Sequence, residues 1–566
     1  MKKELYYRIV ISIIMSTLSI MGTNYFLPKS VYNTLNIILF MLFYYIYSNV
    51  LFKIKNRIIY IYSFLSSIIC VIGHEVYTTH KLINIANNPF NYILILLEVY
   101  SLSMIFYKLL YYLIENKLKK IKKEKYTFSK HIIIISIILL VISYLFAYIS
   151  YFPGVSSYDL TTQNNMINGL IPITNFHPII HTAIIAFFTF IECITKIDNL
   201  WIVLYSITQM SLVIFTYLYL LNWIYKNNMP KVYTIITYLY FLLNPIFIIF
   251  SFIATKDVYF SCFLLLFCIS FIDYYKAHSK RNFFSLLISG VLACLFRNNM
   301  IYPLLVLLLI YFFIPRLKKL KWCFLLIAII YFSIVKGLYS FLGYKDIAVQ
   351  EMLSVPLLQM SDVYINSDTF NEEEKEELRH FAINIENFNP RFADGVKEEF
   401  NGTYLKNNPL TFFKIYFKGL INNPLDYIST FLDLNITYWY PNSQTIDEYS
   451  NRVYIEDDLY NNKPLLQDSY EIYHSFANYK SFIQKTPPFN IVFSLYFSFW
   501  FLFIISFTYL ICNKNKYILS LLLLLFLFFC TYLLGPVSNL RYVYPYYSLM
   551  PLLLGIILFD KKEIEF

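Results

Sequence analysis

Asp159 is a lone carboxylate in a polar island, "YFPGVSSYDLTTQNNMINGLIPITNFHPIIHT", that separates two apolar runs. A carboxylate there can take a proton from an acceptor hydroxyl as a general base. It can equally cap a helix, because Asp and Ser suit the first position of "SSYD". His177 and His181, four residues apart, suit one face of a helix. Paired imidazoles can donate hydrogen bonds to a phosphate or form an interfacial polar face. As metal ligands they would need a third donor, and no HExxH-type signature supplies one. Lys256 and Asp257 open another apolar run. They read as a neutralising pair at a helix start, or as a phosphate grip with an acid that orients substrate or a cation. Arg297, followed by Asn298, breaks a long apolar stretch in two, and Arg541 sits in "NLRYVYP" just outside a span. Single basic residues at membrane edges usually snorkel, but arginine also suits bidentate phosphate contacts. Together these residues suggest transfer from a membrane-bound phosphate donor. An acid would activate a hydroxyl, and cations would stabilise the departing phosphate.

The elements that must position them are membrane helices. The chain is 58% hydrophobic and 14% charged, with a mean hydropathy of +0.54, well outside the soluble range. Apolar runs at 7–27, 34–52, 58–77, 91–114, 131–150, 179–197, 201–225, 232–251, 258–275, 283–296, 299–314, 322–341, 491–511, 517–534 and 545–559 are candidate spans. The first lacks a small-residue cleavage site and reads as a span. An all-α polytopic fold of about 13–15 membrane segments is expected. The net charge of +11 mostly reports cytoplasmic loops: "MKK", "KIKNR", "KLKKIKKEK", "KNNMPK", "KAHSKR", "RLKKLK", "NKNK" and "DKK". Asp159, Lys256, Asp257, Arg297 and Arg541 are then expected on the outer side. One conflict stands: two apolar runs separate Asp159 from Lys226, where charge parity requires an odd number of crossings. Either one run, 179–197 being the better candidate, lies along the interface or re-enters, or the 226–231 cluster is outside.

The organisation expected is accessory N-terminal helices at 1–116, a core at 131–342 with a first external loop at 151–180, an external domain at 343–490 with interfacial helices, and C-terminal helices at 491–566. The acid run "EEEKEE" reads as a solvated helix face. The segment 407–441 has helical apolar spacing that suits the membrane surface. The eight cysteines form no CxxC pair, which argues against a disulfide framework or zinc site. Aromatics at 20% suit sugar stacking or interfacial belts, or reflect compositional bias alone. No Walker loop or GxGxxG is present, against use of ATP or a nucleotide sugar.

The acid after "FPGVSSYD", in the first large external loop, resembles the GT-C superfamily of polytopic glycosyltransferases, with Asp257 as the second external acid. The order "FPGVSSYD", "NFHPIIHT", "ATKD", "FRNNMIYP", "EMLSVPLLQ", "ADGVK", "YWYP" and "NLRYVYP" resembles, over roughly 140–550, a bacterial multi-pass family grouped with mannosyltransferase-like enzymes. "NFHP" and "ATKD" depart from the family pattern but leave His177 and Lys256 in place. The resemblance implies a GT-C-like helical bundle and a polyprenyl-phosphate sugar donor. It also implies an acceptor that is a surface glycopolymer, lipid or protein, and Asp159 as base or acceptor-positioning acid. The expected setting is the lipid bilayer of a bacterial cell membrane, with no nucleic acid involved. No cofactor is certain, although a divalent cation serves some members of the superfamily. A lipid-linked-sugar flippase and a surface-glycan polymerase or ligase are the alternatives; a flippase would show internal repeats, and none is evident.

Overall fold

A computed structural model of the chain describes residues 2–24, 32–50, 56–82, 89–112, 114, 124–156, 158–175, 177–314, 318–344, 348–441, 443, 482–483, 486, 491, 494–512 and 515–559. Much of the expected external domain (444–481) and part of the orientation-setting basic clusters (53–55, 117–123, 316–317, 513–514 and 560–562) lie outside the described residues.

The protein is an all-α polytopic membrane protein. Four N-terminal helices, α1 (Lys2–Asn24), α2 (Tyr32–Val50), α3 (Arg57–Thr79) and α4 (Pro89–Tyr112), precede α5 (Lys130–Ser150), α6 (Tyr158–Ile167), α7 (Ile179–Thr195), α8 (Leu200–Lys226), α9 (Lys231–Leu243) and α10 (Pro245–Phe250). The hairpin of α11 (Lys256–Lys276) and α12 (Lys280–Phe296) follows, then a short 3-10 turn (Asn298–Met300), α13 (Ile301–Phe313) and α14 (Lys318–Leu342). Next come eight shorter helices: α15 (Ala348–Met352), α16 (Ser354–Asn366), α17 (Glu372–Phe381), α18 (Asp394–Lys397), α19 (Gly402–Asn407), α20 (Pro409–Asn422), α21 (Pro424–Leu434) and α22 (Ile436–Trp439). The bundle closes with α23 (Leu495–Cys512), α24 (Lys516–Tyr532) and α25 (Leu540–Phe559). Helices α3, α5, α8, α11, α14 and α25 are long and apolar enough to cross a membrane.

One large core joins α5 to α14 with α22 to α25, and α11 and α25 are buried nearly all round at its centre. A second core, separate from it, holds α16 to α21 around Leu358, Phe381, Val396, Phe412 and Tyr427. On its rim the acid run forms α17. Asn371 and Glu374 make a capping box there, and Glu372 and Glu373 sit in the first turn, where the helix dipole favours them.

Local chemistry explains where the helices depart from the apolar pattern. The run 232–251 is not one helix: Asn244 ends α9 and its side chain accepts from Ile246 N (3.1 Å) to start α10, with Pro245 at the first helical position. The last span starts at Leu540 rather than at 545, so Arg541 is inside a helix and not beyond its end. Pro545 and Pro551 lie within that helix. Pro551 has no N–H for the carbonyl of Tyr547, and the Tyr240 hydroxyl donates to that carbonyl instead (3.1 Å).

Helix α7 lies across one end of α8 instead of running its length. Near its start, His181 Nε2 pairs with the Tyr205 hydroxyl (2.6 Å); near its end, Glu192 accepts from Trp201 N (2.9 Å). Tyr205 and Trp201 are one turn apart on α8, about 6 Å along the axis, whereas the 11-residue step from His181 to Glu192 spans about 16 Å of helix. Both ends of α7 therefore meet the same end of α8. Only α8 travels from the Asp159 end to Lys226, which restores the odd parity.

Two short loops meet at that end. Strands β1 (Val155–Ser156) and β2 (Ile253–Ala254) pair in parallel, Val155 with Ile253 and Ser156 with Ala254. Gln209 of α8 donates to the carbonyls of Phe250 (2.9 Å) and Ile253 (2.7 Å), and Ser206 to that of Phe252 (3.2 Å). Gly154 lets β1 approach α8 this closely. Its φ is +137°, and a Cβ there would lie 2.5 Å from Ser206 Oγ and 3.0 Å from Ile202 Cγ1. Gly154→Ala should therefore cost at least about 1–3 kcal/mol from backbone strain alone, read as a lowered thermal midpoint. Adding Ser206→Ala should recover only part of the loss, because the strained φ remains. Full recovery would show that crowding is the whole effect.

Candidate functional site

The β1–β2 register sets two carboxylates side by side. Asp159 is three residues beyond Ser156 and Asp257 three beyond Ala254, so each acid lies in the first turn of its helix, α6 and α11. The sequence carries this as a matched pattern: "VSSYD" and "IATKD" share an apolar residue, a small one, a hydroxyl, one free position and an aspartate. In the second copy Thr255 caps α11, its hydroxyl accepting from Asp257 N (3.4 Å). The dipoles of both helices favour the acids.

Three cations reach these acids from three helix ends. Lys256 comes from the start of α11, Arg297 from the end of α12 and Arg541 from the start of α25. Arg541 Nη1 lies 2.9 Å and Lys256 Nζ 3.2 Å from Asp159 Oδ2. Arg297 Nη1 pairs with Asp257 Oδ1, and Arg541 Nε stands 3.8 Å from Asp257 Oδ2. Arg541 thus lies between the two acids. The neighbours Lys256 and Asp257 do not neutralise each other, as adjacency suggests; each pairs with a residue from another loop.

His177 and His181 part company. Pro178 precedes the first residue of α7, so His177 is not on the helix and the expected shared face does not form. His177 Nδ1 accepts from Lys256 Nζ (3.2 Å), and the Tyr339 hydroxyl donates to its carbonyl (3.2 Å). His181 is buried with both ring nitrogens engaged, by Gln163 Oε1 (2.9 Å) and Tyr205 (2.6 Å). It links α6 to α8. Asn298 also turns elsewhere, its Oδ1 accepting from the Tyr331 hydroxyl (3.2 Å).

Two tyrosines not singled out in the sequence complete the cluster. The Arg297 guanidinium lies over the rings of Tyr542 (4.6 Å) and Tyr532 (5.0 Å), which stack on each other. The Tyr542 hydroxyl receives Arg541 Nη2 (3.2 Å). Tyr542 adjoins Arg541 in "NLRYVYP" and could have been read from that motif. Tyr532 is one of 55 tyrosines with no local mark.

The charge balance favours an anion. Burial raises the cost of a charged Asp159, but Arg541, Lys256 and His177 outweigh it and hold its carboxyl well below the usual range. Burial and the Lys256 charge push His177 down to about 3, so it is neutral at physiological pH. Because its Nδ1 accepts from Lys256, its proton is on Nε2. Three cations then face two carboxylates, leaving one net positive charge. Asp257 is 1% exposed and closed off, whereas Asp159, Lys256, Arg297 and Arg541 keep 11–14% and can be reached. Among the described residues, no hydrogen bond engages Asp159 Oδ1, since both cations use Oδ2. No three His, Cys, Asp or Glu side chains among them form a metal-holding group. Between Asp159 and Asp257 stands the Arg541 guanidinium.

No curated protein and no solved structure matches the chain. One family model matches residues 168–563, which include His177, His181, Lys256, Asp257, Arg297, Asn298 and Arg541; Asp159 lies just ahead of the matched segment. That match spans more than half of the chain, and the protein belongs to the Family of unknown function (DUF6020).

Proposed function

We propose that the protein is a GT-C-type membrane glycosyltransferase that moves a sugar from a polyprenyl-phosphate donor to a cell-surface acceptor at the outer face of a bacterial membrane. The observation that supports this best is the convergence of Arg541, Lys256 and Arg297 on two acids at one end of the bundle. The cluster keeps a net positive charge, and the Asp159 carboxylate beside it keeps 13% of its side chain exposed. A lipid-anchored phosphate would enter at this depth, and the cations would receive it.

In this reading the acceptor oxygen attacks the anomeric carbon. The new C–O bond forms to the acceptor, and the bond from that carbon to the phosphate oxygen breaks. Its electron pair departs on the prenyl phosphate, where Arg541, Lys256 and Arg297 offset the charge. The acceptor's proton passes to Asp159 Oδ1. Asp159 is a weak base while two cations hold it. A donor phosphate draws Arg541 and Lys256 toward itself and so raises the basicity of Asp159, which couples donor binding to activation of the acceptor.

The outward orientation is tested by labelling in a cysteine-less background. Leu170→Cys lies on the exposed turn after α6, and Ala277→Cys at the opposite end of α11. A membrane-impermeant maleimide on intact cells should label Leu170→Cys, and Ala277→Cys only after permeabilisation. The reverse pattern would put the cluster in the cytoplasm and end this reading.

A further inference from the structure

The 533–539 loop that leads into Arg541 is held from outside. Its contacts come from the 391–438 segment. Asn435 Nδ2 donates to Leu533 O (2.9 Å), Ala393 N to Pro536 O (2.8 Å) and Ser538 Oγ to Leu434 O (3.2 Å). Asn539 N donates to the Tyr438 hydroxyl (3.1 Å), and Asn539 Oδ1 then caps Arg541 N (3.0 Å). Four tethers and one cap therefore fix where Arg541 begins.

That segment is in turn gripped by the end of α3, which lies outside the family-matched part of the chain. Asp433 is fully buried and takes His80 Nδ1 (2.5 Å) on one oxygen and Arg391 Nε (2.9 Å) on the other. Arg391 Nη2 also donates to Tyr77 O (3.1 Å), and its guanidinium lies over the Tyr77 ring. Lys81 pairs with Asp426 (2.9 Å), and Leu82 N donates to Ser429 Oγ (2.9 Å). Two turns before His80, Gly73 admits Trp439 and Tyr440; a Cβ there would lie 2.5 Å from the Tyr440 ring. His80 is held in the left-handed region at φ 59°, which turns its ring off the helix end toward Asp433. Asp433 adjoins Leu434 and Asn435, so both grips act on the same short piece of chain.

We propose that Asp433 and Arg391 are positioning residues for Arg541, and that α3, through His80 and Lys81, is part of the scaffold of the cluster rather than an accessory helix. A charge pair so far from the acids has no contact with them. Its effect passes through α21 and α22 to the 533–539 loop, and sets whether Arg541 reaches both Asp159 and Asp257.

The test is amide hydrogen exchange on the full-length protein in nanodiscs, comparing Asp433→Asn with wild type. Exchange should quicken by at least about tenfold at Asn539 and Arg541 as well as at Leu82, because one coupled unit opens together. Faster exchange confined to 77–82, with Asn539 and Arg541 unchanged, would overturn the proposal. Should Asp433→Asn fail to fold, His80→Ala and Lys81→Ala remove only the part-exposed partners (side chains 49% and 34% exposed) and should give the same pattern at smaller size. A second arm rests on the function proposed above: polyprenyl-phosphate affinity in a double-mutant cycle with Arg541→Ala. The Asp433→Asn loss should largely vanish when Arg541 is already absent, whereas a merely structural loss would add. Failure of wild type to bind the lipid would count against the proposed function alone, and the exchange result would still decide this one.

Discussion

Asp159→Asn should lower sugar transfer by at least about a hundredfold while the protein still folds and still binds polyprenyl phosphate. General-base assistance contributes roughly 10²–10⁴ in rate, and asparagine keeps the size and one acceptor oxygen but not the basicity. The pairing in the cluster sharpens the expectation. Arg541 and Lys256 both bond Asp159 Oδ2, so removing its charge releases two cations toward the donor phosphate. Donor affinity should hold or rise as turnover falls, a split between KM and kcat that general damage would not produce. If Asp159 serves only the first turn of α6, asparagine should cost turnover little, because the charge–dipole interaction it loses is worth only about 0.3–1 kcal/mol. Near-normal turnover would therefore leave Asp159 a purely structural role in the first turn of α6.

Arg541→Ala should weaken polyprenyl-phosphate binding by roughly 10- to 150-fold, the worth of a charge-assisted hydrogen bond of about 1.5–3 kcal/mol. Arg541 is the cation that approaches both acids, so its loss also leaves Asp159 with Lys256 alone and Asp257 with Arg297 alone. A part-buried acid that loses one of two cations destabilises the fold, which a lower thermal midpoint would register. Arg541→Lys should restore stability better than affinity, since an ammonium supplies the charge but not the planar fork that reaches two partners at once. Unchanged affinity in Arg541→Ala would remove Arg541 from the donor site. The same result in Lys256→Ala and Arg297→Ala would remove the anion site altogether.

Much of this cluster was legible because the bilayer makes polar residues conspicuous. Asp159, Lys256, Asp257, Arg297 and Arg541 each interrupt apolar sequence, and each falls at the same end of the bundle because charges at membrane depth gather at helix ends and cavities. Their pairing was not legible. Adjacency favours Lys256 with Asp257, but a two-residue parallel strand pair brings Asp159 beside Lys256 and leaves Asp257 to Arg297. No propensity announces a strand that short. The histidine spacing misled for a related reason. A separation of four means one face only if both residues are helical, and Pro178 starts the helix after His177. A proline also hid the true start of α25: Pro545 reads as a helix opening but lies inside a helix that begins at Leu540. The role of Asp433 was beyond local reading, because its partners His80 and Arg391 lie far away in the chain.

The most direct measurement is cell-free transfer. Purified wild-type protein in nanodiscs is given a panel of polyprenyl-phosphate sugars, each labelled in the sugar, together with cell-envelope acceptor, and Asp159→Asn is run in parallel. The account predicts that one donor yields labelled acceptor and free polyprenyl phosphate in equal amounts, and that the variant binds that donor but yields neither. Release of the lipid phosphate without labelled acceptor, transfer of preassembled glycan chains only, or equal yields from wild type and Asp159→Asn would contradict it.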